Sequence, residues 1–483
     1  MLSVLIWLPL IGGLLLFLLT GGYRTAALAS TVATLAGVVV AAGQLAPDGG
    51  IQLQESWAWL PALGLGYELG ADGLALVLVA LNQFLTLLAI MASTEPHRPR
   101  LYYALILILG GGVNGAFLTQ NLLLFFLFYE VELIPLYLLI AIWGGAQRSY
   151  AATKFLLYTA VSGVILLVAF LSLGALAGGD GTLTFNWMAL RSHPLGLTTQ
   201  IILLLLVVLG FGIKIPLVPL HTWLPDAHVE ASTAISALLA GVLLKLGTYG
   251  LLRFGLGLFP QAWQVLAPYL ATLAVVSVLY GCLTAITQID MKKMVAYSSI
   301  GHMGYILLAI AANTPLSLMG AMLQMVSHGL ISALLFLLVG LVYRKTGTRM
   351  LTEVQGLLNP ERGLPVTGGL MILAAMASAG IPGMVGFIAE FLIFRGSFVV
   401  FPVQTLLCML GTALTAVYFL ILLDRAFFGR LEIVSDRMIT AAVQWQEKLP
   451  ALSLALLVLT FGLQPHWLSR WLEGSVRLMH LAG

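Results

Sequence analysis

Stretches of about 20 apolar residues, the length that crosses a bilayer as a helix, recur along the whole chain. Of its 483 residues, 60% are hydrophobic and only 8% are charged, and the mean hydropathy is +1.03. A water-soluble domain of this length needs a far more highly charged surface. The sequence therefore predicts an all-α polytopic membrane protein. Its net charge of +3 gives no reason to expect a nucleic-acid partner.

The apolar stretches predict fourteen membrane spans, numbered in chain order, and each loop takes the number of the span before it. The predicted spans are residues 2–20, 25–43, 72–93, 101–119, 121–142, 151–177, 200–220, 232–256, 263–287, 291–312, 315–343, 365–395, 402–427 and 449–471.

The positive charges are distributed unevenly between the two predicted faces. Most lysines and arginines fall in the odd-numbered loops; the exceptions are Arg191, Arg253, Arg395, Arg470, Arg477 and two lysines inside spans, Lys214 and Lys245. Cytoplasmic loops of membrane proteins retain Lys and Arg. We therefore expect the odd-numbered loops to be cytoplasmic and both termini to lie on the opposite side.

Two spans contain clusters of helix-breaking residues. Span 7 has Gly210, Gly212, Pro216 and Pro219, and span 12 has Gly380, Pro382, Gly383 and Gly386. Proline removes a backbone donor and glycine loosens the helix, so both spans should be broken. Breaks five spans apart predict two inverted five-helix repeats, although two unrelated proline kinks would look the same. The expected divisions are 1–100 (N-terminal helices), 101–256 (first repeat), 263–427 (second repeat) and 428–483 (C-terminal helix and tail).

The ionisable residues well inside apolar spans include Glu130, Lys214, Lys245 and Glu390. A charge at bilayer depth costs about 2.5–3.5 kcal/mol on insertion scales, so such residues are normally paired, hydrated or functional. Glu132 lies about 200° around an ideal helix from Glu130. We expect Glu130 to face inward and pair with Lys214. Making and breaking that pair would load and unload a proton; the alternative is a static pair that holds helices in register.

Four histidines support proton transfer, because imidazole accepts and releases protons near neutral pH. His221 and His228 flank the end of span 7, His302 follows the start of span 10, and His328 lies within span 11. All four are candidates for proton uptake or relay, and His328 could bridge the two halves of the predicted repeat. A lone histidine among apolar residues is more often a satisfied core residue.

The chain offers no evident cofactor or metal site. Its two cysteines, Cys282 and Cys408, are each isolated in apolar sequence, which excludes a Cys-ligated iron–sulfur cluster built by this chain alone. The histidines lack the spacing of a zinc site. Neither a phosphate-binding glycine loop nor a nucleophilic triad is present, so redox chemistry would have to come from partner subunits.

Five motifs resemble the antiporter-like membrane subunits of complex I, of the subunit 4 (NuoM/NdhD) type. They are YEVELIPLYLLIAIWGG, GFGIKIPLVPLHTWLPDAHVEASTAISALLAGVLLKLGTYGLLRF, MKKMVAYSSIGHMGY, MVSHGLISALLFLLVG and GIPGMVGFIAEF, and they lie between about residues 70 and 430. The resemblance implies a fourteen-helix subunit without its own redox centre, which translocates protons when quinone is reduced elsewhere in the complex.

The family's functional residues fall on six positions of this chain. The resemblance assigns the proton-translocating groups to Glu130, Lys214, Lys245 and Glu390 and the relay to His302 and His328. Sister subunits often have lysine in place of the last carboxylate. Glu390 therefore indicates the subunit 4 type.

The first motif is most similar to cyanobacterial and plastid NdhD chains. That likeness implies a thylakoid complex that uses ferredoxin or NAD(P)H and plastoquinone, with the iron–sulfur clusters, quinone site and a second antiporter-like subunit supplied by partners, and with bound lipids around the chain. The short C-terminus is typical of a CO2-uptake variant that binds a CO2-hydrating zinc protein. Two alternatives stay open, an Mrp-type cation/proton antiporter subunit and a mainly structural subunit that anchors such a partner.

Overall fold

The computed structural model describes residues 1–46, 49–94, 96–178, 183–192, 195–433 and 443–480. This part of the chain is a bundle of α-helices with two short antiparallel ribbons. Within it, twelve helices are long and apolar enough to cross a membrane, and two shorter apolar helices cover Leu2–Leu18 and Pro365–Ser378. Each of the fourteen corresponds to one predicted span. The predicted fold class is confirmed.

Twenty helices and four strands are described. The helices are α1 (Leu2–Leu15), α2 (Tyr23–Gln44), α3 (Gly73–Ala92), α4 (Pro99–Leu118), α5 (Leu122–Val131), α6 (Leu133–Trp143), α7 (Arg148–Ala177), α8 (Trp187–Ser192), α9 (Leu197–Lys214), α10 (Trp223–Glu230), α11 (Thr233–Leu238), α12 (Leu244–Gly250), α13 (Pro260–Ile286), α14 (Met291–Ala312), α15 (Pro315–Thr346), α16 (Pro365–Ser378), α17 (Val385–Phe398), α18 (Pro402–Ala426), α19 (Trp445–Leu463) and α20 (His466–His480). The strands are β1 (Gln52–Leu60), β2 (Leu65–Ala71), β3 (Val354–Gln355) and β4 (Glu432–Ile433).

Helix α15 lies at the centre of the bundle. It is 32 residues long, and its most apolar segment is completely buried inside the protein. It packs against α14, α16 and α17 from the second half of the chain and against α3 and α11 from the first. A helix that is apolar all round and buried all round belongs in a core. Polar residues on α15 are therefore kept away from lipid.

Both predicted helix breaks are present. Span 7 consists of α9 and α10, separated by turns that contain Pro216 and Pro219. Span 12 consists of α16 and α17, separated by a turn that contains Pro382. Gly380, just after α16, adopts a φ of +70°, a backbone conformation that favours glycine. The division of the chain into two inverted repeats stays a prediction.

Two further spans are irregular where the sequence predicted continuous helix. Span 5 is divided at Glu132 into α5 and α6, because Pro135 has no N–H to donate to the carbonyl of Val131 one turn earlier. Span 8 contains two π-helical segments, Leu239–Leu243 before α12 and Leu251–Leu256 after it. π-Helical turns are rare and occur frequently at functional sites.

The structure also contains two elements in regions expected to be connector. Strands β1 and β2 form an antiparallel hairpin in which Trp57 pairs with Tyr67, and their rings stack with centroids 5.4 Å apart. Helix α19 ends at Leu463, before the predicted end of span 14, and α20 begins at His466 and packs against α3 and α15. The backbone N–H of Leu74 donates to the Ser475 hydroxyl at 2.9 Å, which links α20 to the start of α3.

Candidate functional site

The first broken span contains a buried ion pair that differs from the expected one. Lys214, the last residue of α9, pairs through Nζ with Oε1 of Glu132. The side chains of Lys214 and Glu132 are 2% and 0% exposed. The prediction that Glu130 faces inward and pairs with Lys214 is therefore wrong.

The choice of which carboxylate faces inward was wrong, not their separation. Glu132 has helical φ and ψ angles of −71° and −23°, so the chain keeps its helical turn there and the two carboxylates lie on different sides. Glu130 is only half-buried and its carboxylate lies against Gly163 of α7, where a glycine leaves room for it. Glu130 still interacts electrostatically with Lys214. Glu132 makes the contact, and Glu130 acts at longer range.

Aromatic side chains surround the Lys214 ammonium. Its Nζ lies 4.9 Å from the ring centroid of Tyr129 and 5.9 Å from that of Phe155. Such cation–π contacts are strengthened when water is excluded. The Tyr129 hydroxyl lies 3.0 Å from the Ser162 hydroxyl, which donates to the carbonyl of Gly210 on α9 at 2.8 Å. The ion pair is thus tied to α7 and to its own helix.

Lys245 lies on α12, directly after the first π-helical segment, and its side chain is completely buried. Its Nζ donates to the carbonyl of Ala240 at 2.6 Å, a carbonyl within that segment. The same Nζ lies 2.7 Å from Nδ1 of His328 on α15. The lysine and the imidazole are therefore in position to exchange a proton directly.

The second predicted relay histidine continues this contact. The rings of His328 and His302 have centroids 5.5 Å apart. His302 Nδ1 lies 2.8 Å from the carbonyl oxygen of Ser298, and its Nε2 lies 3.2 Å from that of Ser378. A neutral imidazole donates from only one nitrogen, so the ring can donate to both carbonyls only when protonated. The site accepts a protonated His302.

Glu390 lies at the far end of this line, on α17 just after the second break. Its Oε1 is 3.7 Å from His302 Nε2, and its Oε2 accepts a hydrogen bond from Thr412 at 3.2 Å. Gly380 leaves space beside that oxygen, since a Cβ there would approach it to 2.8 Å. A small cavity lined by His302, His328 and Glu390, with room for about one water molecule, joins the three groups.

Four of the predicted site residues thus form one buried line, which we call the central line: Lys245, His328, His302 and Glu390. Lys214 belongs to a separate cluster with Glu132. Among the described residues, no hydrogen bond or ion pair joins that cluster to Lys245. Their backbones meet closely, because Gly247 on α12 packs against the Cβ of Lys214.

The remaining predicted histidines occupy different surroundings. His221 lies in the turn between α9 and α10 with its ring edge-on to Tyr280, at a centroid distance of 4.8 Å. His228, on α10, is completely buried and stacks on Phe336 with the ring planes 6° apart and the centroids 4.5 Å apart. Neither ring nitrogen of His228 has a hydrogen-bond partner in the described part of the chain. Such a ring is free to bind a proton or a water.

Sequence reasoning missed a second buried ion pair and a buried lysine. Arg253 at the end of span 8 donates to Asp72 at 2.6 Å, and both side chains are nearly inaccessible. Lys292 at the start of α14 is 5% exposed. Arg253 and Lys292 had been assigned to loops because they lie at the ends of apolar stretches. Asp72 precedes α3 and accepts from Ala75 as its N-cap, a signal that predicts the cap but not the arginine.

A sequence model of the family described as NADH:quinone oxidoreductase/Mrp antiporter, TM, matches residues 119–415. The chain belongs to this family. This chain is 44% identical over 430 residues to "NAD(P)H-quinone oxidoreductase chain 4 1" of Synechococcus sp. (strain JA-3-3Ab), and the match covers 86% of this chain and 80% of that relative. The predicted resemblance to subunit 4 of complex I is confirmed.

Solved structures agree with the fold of the antiporter-like chain. A chain of respiratory complex I from Thermus thermophilus superposes with a TM-score of 0.89 at 29% identity, covering 99% of this chain and 100% of that one. A chain of the Mrp complex from Dietzia sp. DQ12-45-1b superposes with a TM-score of 0.87 at 23% identity, covering 99% and 97%. At that identity the second likeness shows the fold alone. The chain is therefore an integral, multi-pass membrane protein.

Proposed function

We propose that this antiporter-like chain translocates protons as a membrane subunit of an NAD(P)H- or ferredoxin-quinone oxidoreductase. The observation that supports this most is the central line. It connects Lys245 on α12 and His328 on α15, through His302, to the carboxylate of Glu390 at the second helix break. Buried ionisable groups in spanning helices are typical of proton pathways.

The mechanism would involve two parts of the chain, the Glu132–Lys214 pair and the central line, and a change of charge in the first would act on the second. A conformational or electrostatic change from a neighbouring subunit opens or closes the Glu132–Lys214 pair, with Glu130 acting on Lys214 at longer range. Separation from its carboxylate weakens the hold of Lys214 on its proton, because burial disfavours an unpaired ammonium. The altered field near α12 then moves a proton from Lys245 through His328 and His302 to Glu390.

Partners supply the rest of the reaction. We propose that a redox arm holds the iron–sulfur clusters and the NAD(P)H or ferredoxin site, that quinone binds outside this chain, and that a second antiporter-like subunit lies beside it. We propose a thylakoid location, which the similarity to a cyanobacterial chain supports, and lumenal termini, which the distribution of Lys and Arg supports. A CO2-uptake form of the complex would add a zinc-containing, CO2-hydrating partner. Lipids would occupy the exposed apolar helix faces.

Lys245→Ala tests the proposal. The tagged complex is assembled in membrane vesicles, and quinone-dependent oxidation of the electron donor is followed together with vesicle acidification. We expect the variant to assemble and to translocate fewer protons per electron, because the central line loses its first group. Normal proton translocation by an assembled Lys245→Ala complex would exclude the mechanism.

Mass spectrometry of the co-purified subunits tests which kind of complex contains this chain. Quinone-binding and iron–sulfur subunits are expected, and a soluble zinc protein would indicate the CO2-uptake form. Recovery of small hydrophobic antiporter subunits alone would instead assign the chain to an Mrp-type complex.

A further inference from the structure

A large cavity lies at the face that contains the odd-numbered loops. It is bordered by the ends of α3, α6, α10 and α15 and by the start of α14, and it provides about 400 Å³ of space for water. Glu230, Lys292, Arg344 and Arg349 line it together with Ser93, Thr94, Tyr102 and Ser232. Polar, roomy cavities hold water in proteins. The cavity thus brings water to the interior ends of these helices.

Lys292 is the most deeply buried cation in the cavity wall. Its Nζ donates to the carbonyl of Ala231, at the junction of α10 and α11. Among the described residues, no carboxylate oxygen lies within 4.0 Å of that nitrogen. Asp290, Glu230 and Arg349 act on it only at longer range. A buried lysine without a contacting counter-ion gives up its proton more easily than a paired one.

The nearby carboxylates are occupied by other partners. Asp290 accepts the backbone N–H of Lys292 at 2.8 Å as the N-cap of α14 and accepts from Arg349 at 2.7 Å. Glu230 accepts the backbone N–H of Gln147 at 2.8 Å. These contacts hold both carboxylates more than 4.0 Å from the Lys292 nitrogen. Lys292 therefore has no carboxylate in contact among the described residues.

His228 lies between this lysine and the central line. It is three residues before Ala231, and it interacts electrostatically with both Lys292 and Lys245. Its ring is held flat against Phe336 of α15, and both ring nitrogens are without partners in the described part of the chain. The first π-helical segment, whose Ala240 carbonyl binds Lys245, begins directly after α11. The groups therefore follow one another from the cavity towards Lys245.

We propose that Lys292 is the proton-accepting residue at the base of the cavity and loads the central line through His228. This inference rests on the proposed function. Hydronium in the cavity gives a proton to the neutral Lys292 amine and leaves water. The resulting ammonium passes the proton through water to the neutral His228 ring and becomes a neutral amine again. His228 then gives the proton to the Lys245–His328 pair.

Lys292→Arg separates proton transfer from charge. Arginine keeps a positive group that can donate to the Ala231 carbonyl, but it is not deprotonated in proteins. We expect an assembled Lys292→Arg complex to translocate at least about tenfold fewer protons through this chain, given that a positioned proton donor contributes 10²–10⁴-fold. A purely structural cation would be replaced well by arginine. Near-normal proton translocation in this variant would overturn the inference.

Lys292→Cys adds a chemical rescue. Reaction with 2-aminoethyl methanethiosulfonate rebuilds an amine on the cysteine, whereas methyl methanethiosulfonate adds only an apolar group. We expect proton translocation to recover with the first reagent and not with the second. Equal recovery with both would show that Lys292 only fills space. Lys293→Cys, one position along and only half-buried, is the matched control, and the native Cys282 and Cys408 are both buried.

Lys245→Ala, measured beside these variants, separates the inference from the proposed function. Loss of proton translocation in Lys245→Ala together with normal values in Lys292→Arg would reject uptake through Lys292 and leave the proposed function intact. Normal values in both variants would reject both.

Discussion

Each broken span has a buried ionisable residue beside its break, but the surroundings of the two residues differ. At the first break, Lys214 contacts a carboxylate, Glu132, and lies under aromatic rings. At the second, Glu390 has no lysine or arginine in contact among the described residues; it has one hydroxyl donor and a histidine 3.7 Å away. The first half therefore holds charge as an ion pair, whereas the second holds a single carboxyl group that can carry a proton.

This difference indicates separate roles for the two halves. Removing one member of a buried ion pair leaves an uncompensated charge and costs about 3–5 kcal/mol, so the first cluster strongly couples helix position to charge. A carboxyl group that needs no counter-ion can bind and release a proton without moving helices. The first break is suited to respond to a neighbour, and the second to release a proton.

Glu132→Gln should have the largest effect on this comparison. It leaves Lys214 buried without its contacting carboxylate, and we expect a loss of about 3–5 kcal/mol in stability or a forced release of the lysine proton. Thermal unfolding of the purified complex and protons translocated per electron measure the two outcomes. Glu130→Gln is the matched control and should have the smaller effect. Equal losses in both would mean that the two carboxylates share the lysine.

Lys214→Met combined with Glu132→Leu tests whether the cost comes from an unpaired charge. Replacing both members of a buried pair by apolar residues is often neutral or stabilising. We therefore expect the double variant to unfold at a temperature close to that of the unaltered protein while its proton translocation stays low. A double variant as unstable as Glu132→Gln would show that the pair stabilises the fold by itself.

Glu390→Gln should affect function more than stability. No lysine or arginine contacts this carboxylate among the described residues, so the change in unfolding free energy should be below that of Glu132→Gln, near the roughly 0.5–1.5 kcal/mol of one hydrogen bond. Proton translocation should fall because glutamine cannot bind and release a proton. Unchanged protons per electron would assign proton release to another group.

Thr412→Val should have the smallest effect. It removes the hydroxyl that donates to Glu390 but keeps a similar volume, and its expected cost is about 0.5–1.5 kcal/mol. We expect the complex to assemble normally and to translocate protons at a modestly reduced rate. A loss as large as that of Glu390→Gln would mean that the hydroxyl is itself part of the proton pathway. Thr405→Val on the same helix is a control, since its hydroxyl donates to the carbonyl of Phe401 one turn earlier and not to a carboxylate of the described residues.

Much of the fold was predictable because hydropathy and helix breakers are local signals. The fourteen spans and the breaks in spans 7 and 12 follow from runs of apolar residues and from Pro and Gly. Helix α20 was missed because its apolar residues, Leu468, Leu472 and Val476, recur at helical spacing without forming an apolar run. The π-helical segments have no comparable local signal.

The site was predictable only in part. Lys245 and Glu390 were predicted as ionisable residues inside apolar spans, and the family resemblance added the relay role of His302 and His328. The structure places all four in one line. The choice between Glu130 and Glu132 failed because helical spacing separates the two carboxylates but does not show which of them faces Lys214. Lys292 and Arg253 were counted as loop charges, since sequence alone does not show how deeply a helix end is buried. Long-range packing decides that depth.

The π-helical segment before Lys245 has a mechanical consequence. A π turn contains one residue more than an α turn, so moving it along the chain by one position changes the angular position of the residues between by about 100°. Leu239–Leu243 lies directly before α12, and Lys245 is the second residue of that helix. Displacing this segment past Lys245 would turn the amine away from His328 while the two ends of span 8 stayed where they are. A small change in hydrogen-bond register can thus connect or disconnect the two halves of the protein.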